Sequence, residues 1–241
     1  MLVWLGKFRK LLFHYANDEL IAMQTPFSNI VATATAYLSE VDPVMRATIE
    51  RVGPCTLEPD PDIFTALVDA IISQQISVRA ADAIMARVRA ALPEGKVTPE
   101  ALLPFEFEQL RTLGLSTPKA RYIRNLVELV CNGQLQLGTL SELDDEEIIH
   151  QLTAVKGIGR WTAEMCLIFT FGRPDVLPVD DLGFLEGVRV AYQLPARPSK
   201  QEARERGELW RPYRTFATWF MWMLRRLEMG VIKERTRIVS L

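Results

Sequence analysis

The stretch that decides the fold is VKGIGRWTA, residues 155–163. Two glycines separated by one apolar residue allow a tight turn, because glycine adopts torsions and close approaches that a Cβ would block. Residues 144–152 before the turn and 160–171 after it both read as helices. The pattern therefore predicts a hairpin of two helices, in which the N-terminal amides of the second helix can bind a phosphate oxygen.

Positive charge flanks this turn at Lys156 and Arg160. A lone Gly-x-Gly would indicate an ordinary αα-hairpin. The longer pattern of an aliphatic residue, Gly-Ile-Gly, a basic residue and Thr-Ala is far more specific. We therefore predict that the turn binds a phosphate group.

Two adjacent acids follow in PVDDLG, residues 178–183, where the next helix is predicted to begin. Acids are favoured at helix starts by capping and by the helix dipole, which is one explanation for Asp180 and Asp181. The other is catalysis, since a phosphate-binding turn followed by a carboxylate at a helix start suggests chemistry on a nucleic acid. The residues alone leave both explanations open.

Composition excludes several classes of protein. The 241 residues are 49% apolar, enough for a core, and a net charge of −2 argues against a polybasic binder. Cys55, Cys131 and Cys166 are far apart and show no CxxC spacing, so we expect neither disulfides, nor a zinc site, nor an iron–sulfur cluster. Two histidines, His14 and His150, leave little material for histidine chemistry.

The N-terminal part of the chain indicates an intracellular protein. Lys7, Arg9 and Lys10 interrupt the apolar residues, so no signal peptide is expected. The longest uncharged run, residues 20–39, is too polar for a membrane span. Residues 1–24 are weakly amphipathic, and either dock on the body or extend loosely from it.

Helical spacing dominates the remainder, and strand-like alternation is almost absent. The sequence predicts an all-α protein of about ten helices in short-loop succession. Asp62 is predicted to open one helix, Ser28 to cap another, and Thr117 to cap a third that has Pro118 in its first turn.

These motifs resemble the helix–hairpin–helix DNA glycosylase superfamily, in particular the 3-methyladenine DNA glycosylase II family. The resemblance covers roughly residues 60–228. It is carried by the hairpin, by the two acids, by residues 70–87 with SQQIS at 73–77, and by WRPYR at 210–214. It implies two helical lobes with the active site in the cleft between them. The glycosylase domain is expected over 25–241, with its hairpin at about 152–163 and its N- and C-terminal helices forming one lobe.

The implied activity is hydrolysis of the N-glycosidic bond of alkylated purines in duplex DNA during base excision repair. The implied substrate is 3-methyladenine, with 7-methylguanine and related bases as further candidates. By the resemblance Asp181 is catalytic and Asp180 is a structural neighbour. Members that also cut the backbone carry a Schiff-base lysine where this chain has Trp161, so the resemblance implies a monofunctional enzyme.

The resemblance also implies an aromatic base pocket containing Trp222, Trp161 and Met165, because electron-rich rings suit positively charged alkylated purines. Met165 stands where some members have tyrosine. Trp219 and Phe220 are expected to pack in the core.

The remaining expected DNA contacts form two groups. A wedge that fills the gap left by the flipped base is expected at Gln75, Ile76 or Ser77, of which Ser77 would also cap the next helix. Hairpin contacts are expected from Lys156, Gly157, Ile158, Gly159, Arg160 and Thr162. Lys119, Arg121 and Arg124 are instead expected on a solvated helix face.

No cofactor is expected to be required. A structural Na⁺ or K⁺ on the backbone carbonyls of Thr153, Val155 and Ile158 is compatible with the resemblance. The expected partner of a monomeric protein is double-stranded DNA with alkylated bases, not a membrane. The expected location is the bacterial cytoplasm at the nucleoid, or the nucleus in a eukaryote. Two alternatives are a same-fold glycosylase for another damaged base and a non-catalytic DNA-binding protein.

Overall fold

The computed structural model describes residues 26–232, so the predicted extension 1–24 lies outside the described residues. Within residues 26–232 the structure contains twelve α-helices, three short 3₁₀ helices and no β-strand. The all-α prediction is confirmed, with two more helices than expected. None of the helices in this range is both long and apolar enough to cross a membrane.

The helices follow one another through short connections. In chain order they are α1 (Pro26–Val41), α2 (Pro43–Val52), α3 (Ile63–Ser73), α4 (Val78–Ala90), α5 (Pro99–Leu102), α6 (Phe107–Thr112), α7 (Thr117–Cys131), α8 (Asp145–Thr153), α9 (Arg160–Phe169), α10 (Leu182–Ala191), α11 (Lys200–Gly207) and α12 (Arg214–Glu228). They form two compact units, one of residues 59–171 and the other of residues 26–58 with 172–232.

The first unit is built around α3 and α9. Both helices are largely apolar, and every residue of α9 from Thr162 to Phe169 is buried. Helix α3 packs on α4, α7 and α9. Because α9 begins directly after Gly159, its packing in the core fixes the position of the hairpin turn.

The second unit is built around α12, whose residues 215–224 are all buried. It packs on α10, α2 and α1. At Gly187 the two helices α10 and α12 approach so closely that a Cβ would lie 2.3 Å from the carbonyl oxygen of Met221. This close packing sets the start of α10, with Asp181, against the α12 side chains.

Side-chain caps define several helix starts as predicted. Asp62 accepts the N–H of Thr65, and Ser77 accepts the N–H of Ala80. Two predicted caps are wrong. Ser28 lies inside α1, which begins at Pro26, and Ser116 rather than Thr117 is the N-cap residue of α7. In both cases a proline occupies the first turn, where its missing N–H costs nothing, so the helix starts earlier than expected.

Candidate functional site

The hairpin turn between α8 and α9 needs glycine at position 157 for internal reasons. Gly157 has φ of +89°, which side-chain-bearing residues rarely adopt. A Cβ there would also lie 2.3 Å from Cδ2 of Tyr122. The turn is therefore packed directly against a ring of α7.

Gly159 differs, because neither its backbone nor its packing requires glycine. It is the N-cap residue of α9 with φ of −93° and ψ of 170°. A Cβ there would meet no atom within 4 Å in the described part of the chain. The first amides of a helix lack intrahelical acceptors, and a glycine cap offers no side chain to cover them. The N-terminus of α9 is thus open to close approach by an external anion.

Two side chains hold the turn in place. The amide of Lys156 donates to Oδ1 of Asn125 at 3.0 Å. The side-chain amide Nε2 of Gln74 donates to the carbonyl oxygen of Gly157 at 2.7 Å. The turn is fixed to α7 on one side and to the loop after α3 on the other.

Both basic residues at the turn are exposed, but the guanidinium of Arg160 is engaged by two carboxylates. Arg160 donates through Nη1 to Glu146 at 2.9 Å and through Nε to Glu164 at 3.1 Å. The hydrogen bonds with Glu146 raise the pKa of Arg160 and lower the pKa of Glu146. The side chain of Thr162 is buried. Phosphate contacts by Arg160 and Thr162 stay predictions.

The predicted cation carbonyls lie at the last residue of α8, Thr153, and in the turn, at Val155 and Ile158. The carbonyl of Val155 accepts the N–H of Ile158 at 3.0 Å, and a cation on these carbonyls stays a prediction. Over residues 26–232 there is no cluster of three or more His, Cys, Asp or Glu side chains that could hold a metal ion.

Asp181 is buried in the second unit, with 2% of its surface exposed. It is the N-cap residue of α10, and its Oδ1 accepts the N–H of Phe184 at 2.6 Å and the indole N–H of Trp222 at 2.9 Å. A Cβ at Gly183 would lie 2.9 Å from this oxygen, so glycine leaves room for the carboxylate. Two donors and a close backbone fix its direction, as a residue that stabilises developing charge requires.

Asp180 has a different environment. Its side chain is 38% exposed and forms an ion pair with Lys200. Asp180 therefore has a surface contact that accounts for it, whereas burial of a carboxylate such as Asp181 needs a further reason.

The loop between α3 and α4 contains the predicted wedge. Gln75 is exposed and has φ of +56°, an uncommon conformation for a residue with a side chain. Ile76 is partly exposed, and the hydroxyl of Ser77 is engaged as the cap of α4. The identity of the wedge stays a prediction, with Gln75 in the most unusual backbone conformation of the three.

The predicted pocket residues are distributed over both units. Trp161 is partly exposed and Met165 is buried, both on α9, and Trp222 is buried on α12. The indole N–H of Trp222 holds Asp181, a contact that the sequence did not predict. Trp219 and Phe220 are buried and pack edge to face, with centroids 5.1 Å apart.

The expectation that Lys119 lies on a solvated face of α7 is wrong. This side chain is buried and its Nζ donates to the carbonyl of Ile72 at 2.8 Å, and burial lowers its pKa. Arg124 donates to the carbonyl of Phe105 at 2.7 Å, and Arg121 lies 5.9 Å from the Phe107 ring centroid. The three-residue spacing of Lys119, Tyr122 and Asn125 was the available signal that these positions share a helix face.

Comparison with known proteins gives consistent results. A family model described as HhH-GPD superfamily base excision DNA repair protein matches residues 68–212. DNA-3-methyladenine glycosylase 1 of Schizosaccharomyces pombe is 35% identical over 199 residues, which cover 80% of this chain and 87% of that protein.

Two solved structures are similar over most of the chain. The 3-methyladenine DNA glycosylase of Schizosaccharomyces pombe in complex with abasic DNA has a TM-score of 0.71 and 32% identity, covering 85% of this chain and 100% of its own. A DNA-3-methyladenine glycosidase from Bacillus halodurans has a TM-score of 0.72 and 32% identity, and the match covers 86% of this chain and 92% of that protein's chain. With the Gly-Ile-Gly hairpin and the buried Asp181 in place, the chain belongs to the HhH-GPD superfamily of base excision DNA repair proteins.

Proposed function

We propose that this protein is a monofunctional glycosylase of the 3-methyladenine DNA glycosylase II type, which removes alkylated purines, above all 3-methyladenine, from duplex DNA. The similarity to 3-methyladenine glycosylases supports the substrate class. The single observation that carries the chemistry is the buried carboxylate of Asp181, held by the Phe184 amide and the Trp222 indole.

The proposed reaction is hydrolysis. As the N-glycosidic bond breaks, positive charge develops on the deoxyribose, and the base departs with the bonding electrons. An ionised Asp181 stabilises that charge and orients the water that attacks C1′. Alkylation at N3 or N7 already gives the purine a positive charge, so the base is a good leaving group. Stacking against an electron-rich indole, from Trp161 or Trp222, favours the cationic base over a normal one.

DNA binding is proposed to use the hairpin as a sequence-independent anchor. The open N-terminus of α9 at Gly159 suits a phosphate oxygen, with Lys156 as the exposed charge beside it. Binding to phosphates releases counterions, so affinity should fall as salt rises. A Na⁺ or K⁺ on the hairpin carbonyls would add positive charge at the same place. Weaker DNA binding in a large organic cation salt than in KCl, at equal ionic strength, would support that ion.

The absence of lyase activity is proposed from Trp161. An indole cannot form a Schiff base with the sugar, so borohydride should trap no covalent protein–DNA complex. The product should be an intact abasic site, which breaks only on treatment with alkali. A trapped complex would contradict the monofunctional assignment.

A lesion panel tests the function. The purified protein is incubated with duplexes that contain 3-methyladenine, 7-methylguanine, an oxidised purine or a deaminated base, and released bases are quantified. We expect 3-methyladenine to be released fastest. Release of only the oxidised or deaminated base would favour the alternative glycosylase. Salt-dependent DNA binding with no release of any base would favour a non-catalytic binding protein.

A further inference from the structure

The proposed function assigns two segments to DNA, namely the wedge loop, residues 74–77, and the hairpin turn, residues 155–159. One face of α7 contacts the hairpin turn and the end of α3 that leads into the wedge loop. Lys119, Tyr122 and Asn125 follow one another at three-residue spacing, which places them on neighbouring parts of one helix face. Lys119 holds the carbonyl of Ile72, at the end of α3 just before the wedge loop.

The other two residues of this face hold the hairpin turn. The Tyr122 ring packs where a Cβ of Gly157 would be, and Asn125 accepts the amide of Lys156. Helix α7 therefore supports the hairpin turn and the end of α3 directly before the wedge loop.

A single side chain connects the two segments directly. Gln74 is the first residue of the wedge loop, and its Nε2 donates to the carbonyl of Gly157 at 2.7 Å, across 83 residues of chain. Only the amide nitrogen can donate to a carbonyl, so this bond fixes the orientation of the Gln74 side chain. The next residue, Gln75, has its backbone at φ of +56°. The bond thus anchors the loop immediately before its strained position.

We propose that Gln74 is a positioning residue that couples the wedge loop to the phosphate-binding hairpin, so that anchoring the DNA backbone places the wedge at the base step to be opened. This inference rests on the proposed function. Gln74 does not touch the reacting atoms; it acts through the loop that replaces the extruded base. Its loss should impair base extrusion more than DNA binding.

The test uses Gln74→Glu, which keeps the side-chain shape and replaces the donor with an acceptor facing the Gly157 carbonyl. Gln136→Glu, at an exposed position, adds the same charge and serves as the matched control. Loss of one hydrogen bond should lower single-turnover release of 3-methyladenine from a fully paired duplex about tenfold. Affinity for undamaged duplex and the melting temperature should stay near the control values.

A bulged substrate separates positioning from general damage to the protein. A lesion without an opposing base costs less to extrude, so Gln74→Glu should release it at close to the control rate. Wild-type release from the paired duplex, or equal losses on the paired and bulged substrates, would overturn the proposal. If Gln74→Glu does not fold, Gln74→Asn, which is one methylene too short to reach Gly157, is subject to the same criteria.

Fluorescence keeps this test independent of the substrate assignment. A 2-aminopurine beside an uncleavable abasic analogue brightens when a wedge unstacks it. Gln74→Glu should give a weaker signal than the wild type or Gln136→Glu, and an unchanged signal would overturn the coupling. Absence of 3-methyladenine release by the wild type would defeat the proposed function but leave this measurement decisive for Gln74.

Discussion

The carboxylate of Asp181 and the indole of Trp222 form one buried hydrogen-bonded pair, at 2.9 Å. The pair gives Trp222 a role besides the base stacking proposed for it, because its N–H fixes the oxygen that also caps α10. A carboxylate with a fixed direction stabilises developing charge without reorganising during the reaction.

The first prediction concerns Trp222→Phe, which keeps an aromatic ring and removes the N–H donor. Release of 3-methyladenine under single-turnover conditions should fall about tenfold, as expected for loss of a hydrogen bond to a charged group. The matched control is Trp219→Phe on the same helix, since the Trp219 indole nitrogen has no hydrogen-bond partner among the described residues. Equal rates for the two variants would show that the N–H of Trp222 has no part in holding Asp181.

The two glycines of the helix–hairpin–helix element differ in their backbone conformation and in their surroundings. Gly157 has φ of +89° and packs on Tyr122, whereas a Cβ on Gly159 would meet no atom within 4 Å among residues 26–232. One glycine permits the fold of the turn, and the other keeps the helix N-terminus accessible to a ligand.

The second prediction compares Gly157→Ala with Gly159→Ala. Gly157→Ala should lower the free energy of unfolding by about 2 kcal/mol or more, through overpacking and an unfavourable φ. Gly159→Ala should leave stability almost unchanged but weaken duplex binding about tenfold, because its Cβ occupies the approach to the α9 amides. Thermal denaturation and fluorescence anisotropy give the two quantities. A Gly159→Ala protein with wild-type DNA affinity would exclude this turn as the phosphate site.

The third prediction concerns Lys119 on α7, whose Nζ donates to the Ile72 carbonyl at the C-terminal end of α3. Burial holds its pKa below the ordinary 10.5, so the unfolded chain binds this proton more tightly than the folded one. This difference lowers the free energy of unfolding at neutral pH. The loss disappears as the pH rises from the lowered pKa towards 10.5. Urea denaturation should show that the stability of the wild type relative to Lys119→Met increases with pH in that window. A pH-independent difference would contradict this explanation.

At the scale of the whole molecule, core packing determines which thiols react. Burial raises the pKa of Cys55 and of Cys166 to about 12, while Cys131 is exposed at the end of α7. The fourth prediction is that a thiol reagent at pH 8 modifies one cysteine rapidly in the native protein and all three after denaturation. Cys131→Ser should abolish the rapid phase. A persisting rapid phase would show that the surroundings of Cys55 open readily.

The all-α architecture and the hairpin could be predicted because their signals are local. Helical periodicity, Asp62 and Ser77 as caps, and the Gly-Ile-Gly turn each depend on a few consecutive residues. The surroundings of Lys119 could not be predicted, because its acceptor, the Ile72 carbonyl, is 47 residues away in the chain.

In the candidate site, too, local features could be predicted and contacts between distant parts of the chain could not. The residue types at Asp181 and Gly159 were informative in sequence, and their surroundings were not. The bond from Trp222 to Asp181 spans 41 residues and the bond from Gln74 to Gly157 spans 83. Such contacts depend on helix packing, which periodicity does not specify.

The most direct test of the proposed chemistry compares Asp181→Asn with Asp180→Asn in single-turnover release of 3-methyladenine. Asparagine can still accept the Phe184 amide and the Trp222 N–H, so Asp181→Asn should fold and bind DNA. It should release the base about 10³-fold more slowly, because the charge that stabilises the sugar is gone. Asp180→Asn loses only the ion pair with Lys200 and should retain the wild-type rate. An Asp181→Asn protein that releases 3-methyladenine at the wild-type rate would contradict the assignment of Asp181 as the catalytic carboxylate.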